Sequence, residues 1–304
     1  MIYTVTFNPA LDRCYRIGSL AVGEVNKVIP VSFDAGGKGI NVSKTVSIFG
    51  VKTACCTLAG GDTGDILVSM LNRMSIPVMS YRTDGVTRTN IKITDDEGHT
   101  TDINEPGPLY DEQGTSRLVS DLLAAAGPSD IVVLSGSLPP DSPSDLYMTI
   151  IESLRLNGCR VFLDTSGSAL EAGIQGRPYF VKPNAAELGI KSDVGEALDS
   201  GLKLVESGIP NVIVSLGREG SVYCNSDGLR LYGHAIPVPA KCTTGGGDGM
   251  TAGFAVATAK KMTGPEAFKF SIACATAAVV TQGTGAPDRK TVDEYLSKVV
   301  AETI

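Results

Sequence analysis

The stretch Cys242-Thr243-Thr244-Gly245-Gly246-Gly247-Asp248-Gly249 stands directly before a run of apolar and small residues from Met250 to Ala259. This order predicts a glycine-rich loop that opens into a helix, because glycines let the backbone turn sharply and approach a ligand closely. The first N–H groups of a helix have no partners within it, and the positive end of the helix dipole lies there. The stretch therefore predicts an anion hole suited to phosphate.

Asp248 lies at the mouth of this predicted anion hole. A carboxylate repels a bound phosphate, so its position favours a chemical role: it would take the proton of an alcohol that attacks phosphorus. The alternative is an aspartate that only caps the helix behind a flexible loop. The residues of this stretch leave both interpretations open.

Length and composition indicate an ordinary soluble enzyme. A chain of 304 residues can bury a large core, and its 42% hydrophobic and 19% charged residues are typical of one α/β domain or a domain with an appendage. A net charge of −7 argues against a nucleic-acid partner. No basic leader precedes the strand-like run at Ile2, and no apolar run reaches membrane-spanning length. We therefore expect neither a signal peptide nor a membrane partner.

Cysteine and histidine usage narrows the chemistry further. Seven cysteines are scattered without C-x-x-C spacing, and the chain has only two histidines, His99 and His234. This pattern predicts a reduced, cytoplasmic protein and argues against a zinc centre. It also leaves little material for a Ser-His-Asp triad.

Strand-like and helix-like runs alternate along the chain. The predicted strands are Ile2–Phe7, Thr53–Leu58, Ile131–Leu134, Val161–Leu163, Phe180–Val181 and Val212–Val214. The predicted helices are Asn41–Phe49, Ile66–Met74, Asp145–Asn157 and Gly195–Ser207. This alternation predicts an α/β fold with a mainly parallel sheet flanked by helices on both faces.

Ligands of such a sheet bind beyond the carboxyl ends of its strands. Polar or glycine residues follow several predicted strands directly, namely Ser135-Gly136-Ser137, Asp164, Lys182-Pro183-Asn184 and Ser215-Leu216-Gly217. We expect them to converge on one cleft.

Two polar segments, Leu11–Asp34 and Tyr81–Asn104, interrupt the alternation. Within the second, Asn90–Thr94 and Thr101–Asn104 flank a turn and predict a hairpin, whose exposed alternation suggests a small separate sheet. It is either a flap over the cleft or a surface hairpin without a role. Since no repeat or low-complexity linker occurs, we expect a single domain over residues 1–304.

A second glycine-rich motif, Ala35-Gly36-Gly37-Lys38-Gly39-Ile40-Asn41-Val42, places a lysine between glycines at a predicted helix start. It does not match the Walker A pattern, and Asn8-Pro9-Ala10 stands where a dinucleotide fingerprint would follow the first strand. Gly247–Ala252 formally fits G-x-G-x-x-A, but its late position and internal aspartate argue against a dinucleotide site.

Together these motifs resemble the ribokinase or phosphofructokinase-B superfamily of sugar kinases, in its 1-phosphofructokinase and tagatose-6-phosphate kinase branch. The resemblance covers essentially the whole chain, in order. It rests on the two glycine-rich motifs and on Asn8-Pro9-Ala10-Leu11-Asp12, Gly23-Glu24-Val25-Asn26, Thr87-Arg88-Thr89-Asn90-Ile91-Lys92, Ser135-Gly136-Ser137-Leu138-Pro139 and Lys182-Pro183-Asn184-Ala185-Ala186-Glu187.

The resemblance implies an enzyme that transfers phosphate from ATP, with Mg²⁺, to a ketohexose monophosphate. Fructose 1-phosphate, phosphorylated on its 6-hydroxyl, is the leading substrate, and tagatose 6-phosphate is the alternative. A non-catalytic sugar-phosphate sensor on the same fold is an alternative of another class. The two polar segments, about 11–34 and 81–104, correspond to the family's lid, which is therefore discontinuous in this chain. Because this lid often also serves as a dimer clasp in the family, the resemblance implies a homodimer joined through the lid.

The resemblance also implies residue roles. Asp248 corresponds to the catalytic base, and Gly245, Gly246 and Gly247 to the anion hole. The residues implied for substrate binding are Asp12, Gly37, Lys38, Asn41, Arg88, Asn90 and Ser137, among which Lys38 and Arg88 would hold the phosphate of the sugar. The residues implied for nucleotide binding are Lys182, Asn184, Ser215, Gly217, Gly220 and Thr243. Glu187 would organise Mg²⁺, largely through water.

The chain departs from the family pattern near the base. Cys242 stands where the family usually has Asp, which puts any monovalent-cation site near this loop in doubt, because a thiol is a poor K⁺ ligand. Gly246 is commonly Ala or Ser, and Gly249 is commonly Ser. These changes leave the base and the backbone donors in place.

Overall fold

The computed structural model describes residues 1–239 and 245–304. Its largest element is a ten-stranded sheet with the spatial order β14-β13-β12-β11-β10-β9-β8-β1-β4-β5. The strands are β1 Ile2–Thr6, β4 Thr53–Ala59, β5 Val78–Arg82, β8 Ile131–Ser135, β9 Arg160–Asp164, β10 Phe180–Val181, β11 Asn211–Ser215, β12 Ser221–Asn225, β13 Arg230–Gly233 and β14 Ala301–Thr303. Strands β5 to β11 of this order pair in parallel, and β12, β13 and β14 add antiparallel ladders at one edge.

Helices cover both faces of this sheet. They are α1 Lys38–Ser47, α2 Gly61–Arg73, α3 Glu112–Ala125, α4 Leu146–Leu156, α5 Gly167–Gln175, α6 Val194–Glu206, α7 Gly246–Ala259, α8 Gly264–Val280 and α9 Arg289–Leu296. Val132 and Leu134 of β8 pack with α3 to α6 on one face, whereas Ile131 and Val133 pack with α1, α7 and α8 on the other. The predicted α/β fold is therefore confirmed. Among residues 1–239 and 245–304, no helix has both the length and the apolar character needed to cross a bilayer.

The three antiparallel strands at the edge were not among the predicted strands. β13 and β14 have four and three residues, and they pair across about seventy residues of intervening sequence. Runs this short carry little periodicity, so the sequence pattern could not distinguish them from loops.

Four strands form the second sheet, in the order β3-β2-β6-β7. They are β2 Ala10–Arg16, β3 Ile29–Gly36, β6 Arg88–Thr94 and β7 Thr100–Asn104. β6 and β7 pair antiparallel, which confirms the predicted hairpin, and β6 joins β2 in parallel. We call this sheet the lid.

The second lid segment starts later than predicted. Tyr81 and Arg82 belong to β5, where they pair with Leu58 and Ala59 of β4 at the edge of the main sheet. These two residues continue a parallel ladder, so the polar character of the segment marks a sheet edge at this point and the lid begins at Arg88.

Candidate active site

The predicted helix is present as α7, and it begins at Gly246, so Gly246 and Gly247 lie in its first turn and not in a preceding loop. Gly245 has φ 103° and stands before α7, a conformation that favours glycine because other residues would be strained there. Gly247 faces the ammonium of Lys182, and a Cβ atom on Gly247 would lie 3.1 Å from that nitrogen. The unpaired amides at the start of α7 and this lysine together make a site for an anion. Thr243 and Cys242 lie outside the described residues.

Asp248 lies in the first turn of α7 and is only 5% exposed. Its Oδ2 accepts a hydrogen bond of 2.8 Å from the side-chain amide of Asn41, on α1. Burial raises the pKa of this carboxyl to about 6, an effect that Lys38 opposes and Asp164 reinforces. A carboxylate with a pKa close to neutrality is suited to accept a proton from an alcohol.

Asp164, the last residue of β9, is a second buried carboxylate, and its side chain is fully buried. Its Oδ1 lies 3.0 Å from the Lys38 nitrogen and 3.6 Å from the Lys182 nitrogen, and its Oδ2 accepts a bond of 2.9 Å from the Thr251 hydroxyl. Burial alone would raise the pKa of Asp164, but Lys182 and Lys38 outweigh it and hold the pKa at about 2.

The sequence analysis placed Asp164 in the cleft but gave it no role. The signal was its position directly after a buried strand. The two buried aspartates have pKa values shifted in opposite directions, and such a difference separates a group that exchanges protons from one that stays charged. We call Asp248, Asn41, Asp164, Lys38 and Lys182 the Asp164–Asp248 cluster.

Lys38 is the first residue of α1, and this position places its side chain beside Asp164. Gly37 precedes it with φ 115°, again a conformation that glycine adopts readily. The Asp164 carboxylate raises the pKa of Lys38, burial opposes this, and Asp248 and Glu187 add to it. The Lys38 side chain therefore interacts with Asp164, with Glu187 and with Asp248, the predicted base.

A second polar cluster lies where the lid joins the main sheet. Asp12, on β2, accepts hydrogen bonds from the Asn90 amide (2.9 Å) and the Thr284 hydroxyl (3.1 Å). Burial raises the pKa of Asp12, whereas these two bonds, Lys44 and Arg88 lower it. Gly36 leaves room for the aspartate, since a Cβ atom there would lie 2.1 Å from its Oδ2.

Arg88, the first residue of β6, extends this cluster. Its guanidinium donates two hydrogen bonds of 3.2 Å, to the carbonyls of Asn8 and Glu105. The Asn8 side chain donates to Pro106 O at 2.9 Å and to the exposed Ser137 hydroxyl at 3.4 Å. We call Asp12, Asn90, Arg88 and Asn8 the Asp12–Arg88 cluster.

Three buried atoms of the Asp12–Arg88 cluster have no hydrogen-bond partner among the described residues: Arg88 Nε, Asn90 Oδ1 and Asn8 Oδ1. An unsatisfied buried polar atom costs free energy, about 1–3 kcal/mol in typical cases. Three of them in one cluster indicate a place where a polar ligand completes the bonding.

A cleft of about 1180 Å³ lies between the lid and the carboxyl ends of the strands. Ser215, Gly217 and Gly220 line it together with Gly246 and Gly247, so the structure brings the predicted nucleotide turn and the anion hole to one cavity. The lid contributes Cys14, Arg16, Lys92 and Thr94.

One side of this cleft is apolar, and the sequence analysis did not predict it. It includes Ile236 and Val238 before the undescribed segment, and Ile272, Ala275 and Val279 on α8. The available signal was the row of small and apolar residues on α8, but such a row is equally typical of helix packing. An apolar wall next to an anion site suits the flat base of a nucleotide.

Asn184 and Glu187 lie in the turn after β10. The two side chains bond each other's backbone: Glu187 Oε2 accepts from Asn184 N (2.9 Å), and Asn184 Oδ1 accepts from Glu187 N (2.8 Å). Asn184 also bridges to Ser215 of the nucleotide turn. The turn is thus held rigidly at the edge of the cleft.

These residues fit a hydrated magnesium ion. Glu187 keeps a second carboxylate oxygen beyond its backbone bond, and hard oxygen donors are what Mg²⁺ prefers. In the described part of the chain, no three His, Cys, Asp or Glu side chains lie close enough to hold a metal ion between them. An ion here would therefore take most of its ligands from water and phosphate, as Mg²⁺ commonly does.

Close packing accounts for one departure from the expected motif. A Cβ atom on Gly249 would lie 2.8 Å from the carbonyl oxygen of Cys274, and one on Gly253 would lie 2.7 Å from Cα of Ser271. Helices α7 and α8 approach so closely that a serine after the base would clash with the backbone of α8.

Comparisons with known proteins extend over nearly the whole chain. The model of a family described as pfkB family carbohydrate kinase matches residues 5–291. The chain is 34% identical to a 1-phosphofructokinase of Haemophilus influenzae, over 98% of this chain and 97% of that protein. It is 32% identical to a 1-phosphofructokinase of Bacillus subtilis, over 99% and 98%. The crystal structure of phosphofructokinase-2 from Escherichia coli in complex with substrates and products aligns with a TM-score of 0.92 and 27% identity, over 98% of each chain.

Proposed function

The chain belongs to the pfkB family of carbohydrate kinases, and we propose that it transfers the γ-phosphate of ATP to the 6-hydroxyl of fructose 1-phosphate. The observation that carries this proposal is Asp248, a buried carboxylate with a pKa of about 6 at the start of a helix that forms an anion hole. The two relatives named 1-phosphofructokinase support the choice of sugar. A sensor that only binds sugar phosphate would have no use for a base with this pKa.

In the proposed reaction, the hydroxyl oxygen of the sugar attacks the γ-phosphorus in line with the departing ADP. Asp248 accepts the hydroxyl proton as the new O–P bond forms and the bond to ADP breaks. The first amides of α7 stabilise the charge on the transferring phosphoryl group. Closure of the lid excludes water that would otherwise hydrolyse ATP.

The position of Lys38 supports a different role from the one implied by the resemblance. Its nitrogen lies 3.0 Å from Asp164, and Asp248 contributes to its raised pKa. We therefore assign Lys38 to the transferring phosphoryl group, together with Lys182, and not to the phosphate already on the sugar.

Arg88 is then the main candidate to hold the phosphate of the sugar. Its guanidinium is partly buried beside Asp12 and Asn8, and its Nε has no hydrogen-bond partner within residues 1–239 and 245–304. A guanidinium can bind two phosphate oxygens at once. Asp12, Asn90 and the backbone near Gly37 would bind the sugar hydroxyls, with Ser137 at the edge of the same site.

Mg²⁺ is proposed as the metal that accompanies ATP, near Asn184 and Glu187. When bound, it would neutralise charge on the phosphates. Glu187→Gln should raise the Mg²⁺ concentration needed for half-maximal rate. An unchanged Mg²⁺ titration would remove Glu187 from this role.

A homodimer through the lid also remains a proposal. Phe33, Arg13, Ile91 and Ile103 form one cross-strand row on the lid, on the face opposite Asp12, and Phe33 and Ile103 are 42% and 53% exposed. Phosphofructokinase-2 of Escherichia coli has a tetrameric form. Sedimentation of the protein and of Ile103→Lys would test this contact. A cytoplasmic location likewise stays a prediction.

The decisive experiment measures ADP release with fructose 1-phosphate, tagatose 6-phosphate, fructose 6-phosphate and free fructose. We expect the highest kcat/KM for fructose 1-phosphate. A higher value for tagatose 6-phosphate would assign the chain to the alternative sugar. Binding of sugar phosphates without turnover of any of them would support the sensor.

A further inference from the structure

Lys44, on α1, is a buried lysine that the proposed reaction does not use. It is 2% exposed and lies six residues after Lys38 on the same helix. Its ammonium donates hydrogen bonds to three oxygens: the carbonyl of Ala35, the carbonyl of Thr284 (2.9 Å) and the side-chain oxygen of Asn41 (3.3 Å). All three protons of the ammonium are therefore engaged.

The two carbonyls, of Ala35 and Thr284, belong to segments that adjoin or contact Asp12 of the Asp12–Arg88 cluster. Ala35 lies at the end of β3, where the lid strand runs into α1. Thr284 lies in the loop after α8, and its hydroxyl donates to Asp12 while its amide donates to Asp34 at 3.3 Å. Lys44 thus bonds two segments to α1: the end of lid strand β3, and the loop of Thr284, whose hydroxyl bonds Asp12.

The third acceptor connects Lys44 to the base. The side-chain oxygen of Asn41 faces the ammonium of Lys44, and its NH₂ group faces the carboxylate of Asp248. If the amide turned over, its NH₂ would face the ammonium and its oxygen would face the carboxylate, and both contacts would be repulsive. The charge on Lys44 therefore fixes which end of the Asn41 amide reaches the base.

Burying the charged ammonium of Lys44 costs free energy, so packing alone does not explain why a lysine occupies this position. Burial lowers the pKa of Lys44, and the fields of Asp34, Asp12, Cys55 and Asp248 oppose this in decreasing order. A methionine has a similar length and would fill the same space without the cost of burying a charge.

We propose that Lys44 is a positioning residue that couples the base to the sugar end of the site. It orients Asn41 toward Asp248, and it bonds the Thr284 loop and the end of β3 to α1. This inference rests on the proposed kinase function. It predicts that loss of the ammonium impairs both the chemical step and sugar binding, while ATP binding stays nearly unchanged.

The test compares Lys44→Met and Lys44→Arg with Lys52→Met, which removes a charge from an exposed position. We expect Lys44→Met to lower kcat roughly ten- to a hundred-fold, as the loss of a charged hydrogen bond commonly does, and to raise the KM for fructose 1-phosphate several-fold. The KM for ATP should stay within about twofold. Lys44→Arg should retain more activity than Lys44→Met, and Lys52→Met should match the parent.

The pH profile separates positioning from packing. Lys38, Asp164 and Lys182 also face Asp248, and they are unchanged in Lys44→Met. The variant should therefore move the acid limb of kcat to higher pH, because Asp248 loses both the oriented amide of Asn41 and the field of the Lys44 ammonium. A folded variant with the acid limb and both KM values of the parent would overturn the inference.

If Lys44→Met does not fold, restoring activity with an added amine tests the same inference. Lys44→Ala, purified with propylammonium, should lose kcat when the amine is removed and regain it when the amine returns, whereas the parent should not respond. Activity that does not depend on the amine would also overturn the inference. A parent enzyme inactive on every phosphosugar would instead count against the proposed function itself.

Discussion

The two polar clusters of the site differ in how completely their charged and polar groups are bonded. In the Asp164–Asp248 cluster, each carboxylate accepts from side chains of the main sheet and its helices, with contacts of 2.8 to 3.0 Å and a second lysine at 3.6 Å. In the Asp12–Arg88 cluster, three buried polar atoms have no partner among the described residues.

Under the proposed function, this difference indicates that one cluster serves catalysis and the other serves substrate recognition. The Asp164–Asp248 cluster is preorganised, so it can stabilise charge in the transition state without rearranging. Under the proposed function, the Asp12–Arg88 cluster would leave bonds for the sugar phosphate to complete, and a substrate that lacks a matching group would leave them unsatisfied. We therefore expect substitutions in the first cluster to affect catalysis or stability, and substitutions in the second to affect the choice of substrate.

The largest effect should come from Asp248→Asn. The amide keeps the size of the side chain but cannot accept the hydroxyl proton, so kcat should fall roughly 10²–10⁴-fold, with the KM for ATP nearly unchanged. Steady-state kinetics beside Asp199→Asn, an exposed control, would measure this. A kcat within about threefold of the parent would exclude Asp248 as the base.

Asp164→Asn should show that the first cluster is also structural. Removing this anion leaves Lys182 buried and Lys38 partly buried without their partner, and breaking a buried pair typically costs about 3–5 kcal/mol. Because the Lys38 side chain is 36% exposed, we expect the lower end of that range.

Denaturant unfolding at pH 7 measures this loss. Asp293→Asn is the matched control, since its pair with Arg289 is long (3.9 Å) and exposed, and its loss should change the unfolding free energy by less than about 0.5 kcal/mol. Equal effects of the two substitutions would contradict the structural role of Asp164.

Arg88→Met should change the substrate preference more than the stability. Loss of one charged contact to the phosphate should lower kcat/KM for fructose 1-phosphate roughly ten- to a hundred-fold and leave that for free fructose nearly unchanged. Arg82→Met, at an exposed arginine paired with Asp65, is the control. If both sugars lost the same factor, Arg88 would not recognise the phosphate.

The smallest effect concerns pH. The pKa of Asp248 is raised to about 6, so the base becomes protonated and kcat should fall as the pH drops through this value, about tenfold for each further unit. Asp164, with a pKa of about 2, should add no inflection in this range. The rate must be measured with both substrates saturating, because a sugar phosphate itself titrates near pH 6. A flat profile down to pH 5 would argue against the assignment.

The sequence predicted the α/β fold, because its buried parallel strands are short apolar runs that alternate with segments of helical periodicity. It also predicted helix α7, because a run of apolar and small residues follows the three glycines, although the helix already begins at the second of them, Gly246. The anion hole at this helix start stays a prediction. The role of Asp164 could not be predicted in the same way: its importance depends on Lys38 and Lys182, which approach it from α1 and from the end of β10. Such contacts arise from tertiary packing and leave no local spacing in the sequence.

The same limit explains the roles of Lys38 and Lys44. The sequence showed a lysine between glycines, but only the fold places that lysine 3.0 Å from Asp164, the contact on which its proposed role rests. Lys44 had no motif signal, because a lysine within a helix usually lies at the surface.

The place of β1 in the main sheet has a consequence for biosynthesis. Its five residues are all buried, and they pair with β4 on one side and with β8 on the other. At the usual rate of roughly 5–20 residues per second, the ribosome makes β8 about 4–15 seconds after β4. During that interval one edge of β1 lacks its partner, so the nascent chain carries an unpaired, apolar strand edge of the kind that chaperones bind.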